Sequence, residues 1–257
     1  MKVLLILIDG MRPDAMVQIP AAKQVMEKAA YRLEGRTVYP SCTLPCHMSL
    51  FYSRPPLTHG VTSNTYTARV RLKNGLLETM RKEKKKTVMF YSWEELRDLY
   101  KPGCMTDSFF VNGDRYGYVE ANNRLTEYCV DYLAKEAPDF AFLYLGAPDS
   151  AGHKVGWMTE AYFDALENSW ACALKAMENL PEEYAVIITA DHGGHDRRHT
   201  TFMKEDMTIP VLLLNTGLPA GETVKEYNIM DIAPTVADLM GMEKPLEWKG
   251  KTLIKEI

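Results

Sequence analysis

Three aspartates follow short apolar runs, and this pattern constrains the fold more than any other feature of the sequence. The run and its aspartate are, in chain order, Val3–Ile8 with Asp9, Phe140–Leu145 with Asp149, and Tyr184–Ala190 with Asp191. Short continuous runs rich in branched residues are typical of buried parallel strands. Because ligands bind at the carboxyl ends of such strands, we expect the three carboxylates to converge at one edge of one sheet.

Strand-like runs alternate with helical patterns along the rest of the chain. Thr87–Tyr91 and Ile209–Leu214 are predicted as further buried parallel strands. Helices are predicted over Pro20–Tyr31, His47–Tyr52, Gly117–Lys135, Thr159–Asn179 and Asp231–Met240. This alternation predicts an α/β fold with a doubly wound, mostly parallel sheet and helices on both faces. The segments Thr62–Val70 and Tyr100–Tyr118 are predicted as long loops, which tend to border a functional site.

The composition is that of an ordinary globular protein. Of the 257 residues, 46% are hydrophobic and 25% are charged, and the formal net charge of −4 argues against a strongly basic nucleic-acid binder. We expect one catalytic domain over residues 1–257, without a large cap domain. Because a chain of this length buries a full core without a structural metal, any metal site is expected to serve chemistry.

The cysteines and the first apolar run bear on localisation. The five cysteines are irregularly spaced and include no Cys-x-x-Cys pair, which indicates reduced thiols in a cytoplasmic protein. The run Val3–Ile8 ends at Asp9 without a small-residue cleavage site, which favours a strand over a signal peptide. No run approaches the length of a membrane span. We therefore expect no membrane and no nucleic-acid polymer among the partners, and a homodimer stays open.

Histidines accompany two of the three strand-end aspartates. His153 lies four residues after Asp149, His192 directly follows Asp191, and His195 and His199 come soon after. A single such residue is usually a helix cap or an ordinary polar side chain, so the joint pattern carries the interpretation. Three converging carboxylates would repel one another unless a cation held them.

The number of candidate ligands predicts two metal ions. Three aspartates and three histidines exceed what one catalytic zinc takes from a protein. Two ions about 4 Å apart can clamp the attacking and leaving oxygens of a phosphoryl group. Imidazole with carboxylate suits zinc best, with manganese or iron as alternatives. His195 stays open as a ligand, a donor to a ligand or a substrate contact.

A polar segment before a predicted helix offers a nucleophile. It reads Tyr39-Pro-Ser-Cys-Thr-Leu-Pro-Cys-His-Met-Ser49. A helix N-terminus presents free backbone N–H groups to an anion, and a hydroxyl or thiol there could be a metal-activated nucleophile. The candidates are Ser41, Cys42, Thr43 and Cys46, and position alone does not choose among them. A simple capped helix start is the alternative interpretation.

Five motifs resemble one known family. They are Ile8-Asp-Gly-Met-Arg-Pro-Asp14, Pro40-Ser-Cys-Thr-Leu-Pro-Cys-His47, Thr58-His-Gly60, Pro148-Asp-Ser-Ala-Gly-His153 and Ala190-Asp-His-Gly-Gly-His195. This ordered set resembles the alkaline phosphatase superfamily, and within it the type I phosphodiesterase/nucleotide pyrophosphatase branch. Together the matches extend from Asp9 to about Pro210, which is most of the chain.

The resemblance implies two zinc ions bridged by the substrate phosphoryl group. One ion would be bound by Asp9, Thr43, Asp191 and His192, and the other by Asp149, His153 and His199. His199 is preferred over His195 because it stands just before the strand Ile209–Leu214. Thr43 matches the family nucleophile, which implies a phosphothreonine intermediate that water then hydrolyses.

One position departs from the family pattern. Cys46 stands where the family often has asparagine, and a thiol is a weak donor. The backbone N–H of Leu44 and the side chain of Asn64 are then candidates to contact the phosphate, together with Cys46 and His195. Trp93 and Tyr66 could line the substrate pocket, although core or surface packing is the more ordinary role for each of them.

The sequence and its resemblance together predict a two-metal hydrolase of a small-molecule phosphate ester, with a phosphodiester as the leading substrate. Hydrolysis of a phosphomonoester, a phosphonate or a sulfate ester at the same site is the alternative. A mutase is less favoured, because nothing resembling its extra domain is visible. A catalytically inactive metal-binding module is the hypothesis from another class, and Cys46 is its only support.

Overall fold

A single mixed sheet forms the centre of the molecule. The computed structural model describes residues 1–65, 74–178, 180–221 and 224–254. In this part of the chain the strands are β1 (Lys2–Ile8), β2 (Ala30–Arg36), β3 (Thr87–Tyr91), β4 (Asp107–Phe110), β5 (Phe140–Leu145), β6 (Tyr184–Thr189) and β7 (Thr208–Leu214). Their order in the sheet is β2-β7-β6-β1-β5-β3-β4, with β1 at the centre.

Helices of very different length surround this sheet. They are α1 (Pro13–Met16), α2 (Pro20–Met26), α3 (Thr43–Tyr52), α4 (Pro56–His59), α5 (Leu76–Lys82), α6 (Gly113–Tyr116), α7 (Tyr118–Glu136), α8 (Ala147–Val155), α9 (Glu160–Glu178), α10 (Lys204–Met207) and α11 (Ile232–Leu239). Short 3-10 helices cover Glu94–Leu99 and Ile229–Asp231. No described helix is both long enough and apolar enough to cross a bilayer.

Burial shows that the central strands are covered on both faces. Every residue of β5 and β6 is buried, as are all residues of β1 after Lys2. Since alternate residues of a strand point to opposite faces, this requires packed elements on both sides of the sheet. The predicted α/β class with a mostly parallel, doubly wound sheet is therefore confirmed. All five cysteines are free and buried.

Two sequence predictions are corrected by the sheet. The run at β7 is antiparallel to β6, not parallel, because continuous apolar character reports burial on two faces and carries no direction. The predicted helix Pro20–Tyr31 ends at Met26, and β2 begins at Ala30. β2 is a partly exposed edge strand paired antiparallel with β7, so it lacks the apolar run that reveals a buried strand.

The other predicted elements lie close to their expected places. The two long helices are confirmed as α7 and α9, and the helix expected from His47 begins at Thr43. The predicted loop Tyr100–Tyr118 contains β4 and α6. Of the predicted loop Thr62–Val70, positions 66–70 lie outside the described residues, and so does Tyr66.

Candidate metal centre

The three strand-end aspartates meet at one edge of the sheet, as the sequence predicts. Asp9 directly follows β1, Asp191 comes two residues after β6, and Asp149 lies in the first turn of α8 after β5. β5 and β6 both run parallel to β1 on either side of it, so their carboxyl ends coincide. Asp9 Oδ1, Asp149 Oδ1 and Asp191 Oδ2 are buried and have no hydrogen-bond partner. Such unsatisfied buried carboxylate oxygens fit a bound cation.

The electrostatics of the three carboxylates support the same conclusion. Burial, and then repulsion from Asp149, raises the pKa of Asp191 to about 8. Burial is also the main cause that raises the pKa of Asp9 and of Asp149. Repulsion from Asp191 and Asp149 raises the pKa of Asp9 further. Without a cation, this group of carboxylates therefore resists ionisation at neutral pH.

Three histidines present the same ring nitrogen to the centre. The Nδ1 atoms of His153, His192 and His199 each donate to a backbone carbonyl, of Arg197 at 3.1 Å, Gly193 at 2.8 Å and Ser41 at 2.7 Å. This fixes the tautomer and leaves the Nε2 lone pair available, which is the usual arrangement of a metal-binding histidine. Burial lowers the pKa of His199 to about 2, so its ring is neutral.

The histidine nitrogens and carboxylate oxygens form two groups, which are adjacent because the rings of His192 and His199 stack. His153 Nε2 and His199 Nε2 are 3.1 Å apart, and Asp149 Oδ1 lies 3.5 Å and 3.8 Å from them. His192 Nε2 lies 3.5 Å from Asp9 Oδ1 and 3.2 Å from Asp191 Oδ2. Two lone pairs facing each other at hydrogen-bond distance fit a cation between them. The residues present therefore fit a pair of metal ions.

Thr43 lies beside this group at the first residue of α3. Its hydroxyl donates to His192 Nε2 at 3.1 Å. All ten residues of α3 are buried, which fixes the position of the hydroxyl. His47, one turn later, donates from Nδ1 to the Thr43 carbonyl at 2.8 Å. Burial lowers the pKa of His47 to about 3, so it acts as a neutral donor.

Of the predicted phosphate contacts, Asn64 is the one that lines the cavity next to Thr43. Asn64 Oδ1 accepts hydrogen bonds from the backbone N–H of Leu44 at 2.9 Å and from Cys42 Sγ at 3.1 Å. The Leu44 N–H is therefore already paired, contrary to the expectation that it faces the phosphate. Cys46 is fully buried and its Sγ accepts from the Thr37 hydroxyl, so it is a packing residue here.

His195 has a different environment from the other histidines of its loop. Its Nδ1 donates to the buried Asp206 carboxylate at 2.6 Å, and its Nε2 accepts from Arg198 Nε at 3.3 Å. Asp206 also accepts from both the N–H and the hydroxyl of Thr201. Because both ring nitrogens are engaged within the protein, His195 stabilises the loop in this structure, and its contact with a substrate stays a prediction.

Sequence reasoning missed two aromatic residues that hold the site. Tyr144 donates to Asp9 Oδ2 at 2.5 Å, which directs Oδ1 toward His192. Trp157 Nε1 donates to the carbonyl of Gly10 at 2.9 Å and its ring contacts His153. The only signal for Tyr144 is its position on β5, because alternation places it on a definite face one residue before the strand ends.

Comparison with known families agrees with this geometry. The profile of the metalloenzyme superfamily matches residues 105–244, which is more than half of the chain. The chain belongs to this superfamily. The profile of type I phosphodiesterase/nucleotide pyrophosphatase matches residues 3–114. The predicted place in the alkaline phosphatase superfamily is therefore confirmed.

Solved structures show the same fold at low sequence identity. The chain resembles murine ectonucleotide pyrophosphatase/phosphodiesterase 5 with a TM-score of 0.79 and 13% identity, covering 98% of both chains. It also resembles a phosphonate monoester hydrolase from Silicibacter pomeroyi, with a TM-score of 0.71 and 14% identity, over 98% of this chain and 75% of that one.

A curated relative matches only in part. The 2,3-bisphosphoglycerate-independent phosphoglycerate mutase of Clostridioides difficile (strain 630) is 30% identical over 139 residues, which is 51% of this chain and 27% of the mutase. The chain thus spans about a quarter of the length of the curated relatives that it matches.

The two neighbouring histidines provide a test of the metal-binding set. His199→Ala removes an available Nε2, and we expect it to lower the metal content by one ion per chain, measured by elemental analysis of purified protein. His195→Ala is the matched control. It should keep the metal content but destabilise the fold by about 1–3 kcal/mol, because Oδ1 of the buried Asp206 loses its donor. Loss of an ion from His195→Ala alone would contradict the assignment.

Proposed function

We propose that this chain is a two-metal hydrolase of phosphate esters that uses Thr43 as its nucleophile and prefers diesters. The observation that carries this proposal is the position of the Thr43 hydroxyl. It lies at the start of a buried helix, 3.1 Å from His192 Nε2, and lines the cavity that also reaches Asp9 and Asp149. A hydroxyl that contacts an oriented imidazole and shares a cavity with Asp9 and Asp149 is suited to attack on phosphorus.

Two sets of residues would hold the metal ions. Asp149, His153 and His199 would bind one, and Asp9, Thr43, Asp191 and His192 would bind the other, with zinc as the best match to these ligands. When bound, such a pair of ions supplies Lewis-acid stabilisation of the phosphoryl oxygens. The cluster Asp9, Asp149 and His192, whose donor atoms lie within 4.8 Å of one another, places Asp149 beside both sets.

The chain's own residues account for the covalent step. The Thr43 oxygen forms a bond to phosphorus while the bond from phosphorus to the leaving alcohol breaks, and the Thr43 proton ends on that alcohol. Water then adds to phosphorus and releases the Thr43 hydroxyl, so the sum is one ester and one water giving an acid and an alcohol. His47 and the buried packing of α3 keep Thr43 in position.

Asn64 is suited to bind a phosphoryl oxygen. Its Oδ1 is held by the Leu44 N–H and the Cys42 thiol, so its Nδ2 is the group left to donate into the cavity. Asn64 would then take the place of the asparagine that the family often has at the position of Cys46. The amide thus reaches the site from a different segment.

The relatives support ester hydrolysis and leave the substrate class to experiment. A threonine-to-alanine variant of murine ectonucleotide pyrophosphatase/phosphodiesterase 5 is inactive and binds AMP. The likeness to a phosphonate monoester hydrolase and to a 2-O sulfatase keeps phosphonates, monoesters and sulfate esters as the second candidate class. The mutase matches cover about a quarter of those proteins and therefore carry no assignment of activity.

Two chromogenic substrates test the proposal on zinc-loaded protein. We expect kcat/KM for p-nitrophenyl thymidine monophosphate, a diester, to exceed that for p-nitrophenyl phosphate, a monoester, by about 100-fold or more. This ratio equals about 3 kcal/mol of differential transition-state binding. A ratio below one would make the protein a phosphatase, and turnover of neither would favour phosphonates, sulfate esters or a non-catalytic metal protein.

A further inference from the structure

Two of the buried carboxylates each have one oxygen occupied by a donor from the protein. Tyr144 donates its hydroxyl to Asp9 Oδ2 at 2.5 Å, and the Gly10 backbone N–H donates to Asp191 Oδ1 at 3.2 Å. The other oxygens, Asp9 Oδ1 and Asp191 Oδ2, are buried and have no hydrogen-bond partner. Each aspartate therefore presents one free oxygen to a metal ion. Of the two donors, only Tyr144 is a side chain that can be substituted.

The free atoms of this ligand set lie at the spacing of a four-coordinate zinc site. His192 Nε2 is 3.1 Å from Thr43 Oγ1 and 3.2 Å from Asp191 Oδ2. It is 3.5 Å from Asp9 Oδ1. A tetrahedral zinc ion with bonds of about 2.0–2.1 Å has ligand atoms about 3.3 Å apart. Four residues that offer one atom each thus match the coordination that zinc prefers.

Tyr144 is held tightly enough to control the orientation of Asp9. Its side chain is buried on β5, between β1 and β3 in the sheet, and its ring contacts the His47 ring with centroids 5.7 Å apart. A Cβ at Gly146 would lie 2.8 Å from Tyr144 Cε1 and 3.0 Å from its hydroxyl oxygen, so glycine at this position leaves room for the hydroxyl. The packing therefore keeps the hydroxyl on Asp9.

Loss of this hydroxyl would change what Asp9 offers to a metal ion. A phenylalanine in place of Tyr144 keeps the ring but leaves Asp9 Oδ2 buried without a donor, which is unfavourable. Turning Oδ2 to the ion beside Oδ1 relieves this cost. A carboxylate that binds through both oxygens raises the coordination number, which suits manganese better than four-coordinate zinc.

We propose that Tyr144 is a positioning residue that selects the metal ion at Asp9. By holding Oδ2, it makes Asp9 bind through Oδ1 alone, and this favours zinc over manganese. The inference rests on the proposed function, because it takes Asp9, Thr43, Asp191 and His192 as ligands of one ion. It does not depend on which ester is hydrolysed.

The isosteric variant Tyr144→Phe tests this role, with Tyr184→Phe as the matched control. Tyr184 is also a buried tyrosine, and its hydroxyl donates to the Pro138 carbonyl at 2.6 Å at the opposite end of β6 from Asp191. Competition with a chromophoric chelator measures the affinity of each protein for zinc and for manganese. We expect the ratio of zinc to manganese affinity to fall about 10-fold or more in Tyr144→Phe. Tyr184→Phe should keep the wild-type ratio.

Cobalt in place of zinc reports the coordination number directly. Four-coordinate cobalt absorbs visible light much more strongly than six-coordinate cobalt. His199→Ala is the background for this measurement, because it should retain only the site at Asp9. Cobalt-loaded His199→Ala should show the strong absorption, and adding Tyr144→Phe should weaken it.

The outcomes separate this inference from the proposed function. Equal ratios of zinc to manganese affinity in the wild type and Tyr144→Phe would overturn the role of Tyr144 and leave hydrolysis at Thr43 standing. A wild type that binds no zinc would overturn both. If Tyr144→Phe does not fold, the cobalt spectrum of His199→Ala alone decides, since weak absorption typical of six ligands would overturn binding of Asp9 through one oxygen.

Discussion

Replacing Thr43 by alanine should lower kcat by on the order of 10³-fold or more, equal to about 4 kcal/mol of barrier, while most of the bound metal remains. The hydroxyl lies 3.1 Å from His192 Nε2 and lines the cavity, so its removal takes away the proposed attacking atom. The aspartates and histidines that would bind metal are unchanged in this variant. Steady-state kinetics with elemental analysis on the same preparation measures both quantities.

Two further variants make the Thr43 result interpretable. Thr43→Ser keeps a hydroxyl at the same backbone position and should retain measurable turnover. Thr58→Ala changes an exposed threonine outside the cavity lining and should match the wild type. Near-wild-type rates in Thr43→Ala would remove Thr43 from the role of nucleophile, whatever its metal content.

Removing the metal should make the fold both less stable and more sensitive to pH. Saturating binding at about 1,000 times the dissociation constant stabilises a native state by about 4 kcal/mol per site. For a protein of this size two such sites correspond to a loss of about 10 °C or more in Tm after chelation. Differential scanning calorimetry with and without a chelator measures this difference.

The sign of the pH dependence follows from the buried carboxylates. In the metal-free fold the pKa of Asp191 is raised from an ordinary value of 3.8 to about 8, first by burial and then by Asp149. A carboxyl whose folded pKa is raised favours the fold below its unfolded pKa, and that stability is lost as pH rises through the folded pKa. One such group changes the free energy of unfolding by up to about 1.4 kcal/mol per pH unit. The metal-free protein should therefore lose stability between about pH 4 and pH 8.

A matched variant identifies the source of this effect. Asp191→Asn removes the charge at similar volume, so the metal-free variant should show a weaker decline of Tm with pH than the metal-free wild type. The difference between metal-loaded and metal-free wild type should widen toward pH 8. A constant difference from pH 5 to pH 8 would contradict the view that the metal offsets carboxylate repulsion.

The sequence predicted the features of the fold that arise from continuous burial. The apolar runs at β1, β5 and β6 are visible because packing on both faces excludes polar residues from them. β2 and β4 lie at the two edges of the sheet and retain exposed residues, so neither forms such a run. The direction of β7 was also predicted wrongly, because strand direction depends on the connections between elements and not on the apolar run itself.

Site residues that follow the ends of strands could be predicted from the sequence. Site residues held by contacts between distant parts of the chain could not. Asp9, Asp149 and Asp191 come together because three parallel strands end there. Three hydrogen bonds of the site join residues between 11 and 135 positions apart. They are Leu44 with Asn64, His195 with Asp206, and Tyr144 with Asp9. No local pattern encodes these contacts. His47 was within reach, since it lies one helical turn after Thr43 on the same face.

The complete burial of α3 has a consequence for how this protein can diversify. The threonine at its start is enclosed together with the nine other residues of the helix, whereas Trp93, Asp114 and Tyr118 line the cavity from segments that follow β3 and β4 at one edge of the sheet. Mutations at exposed positions of those segments, such as Asp114, can change the lining of the cavity while the buried helix stays in place. The surroundings of the cavity can therefore vary while the helix that begins at Thr43 is kept.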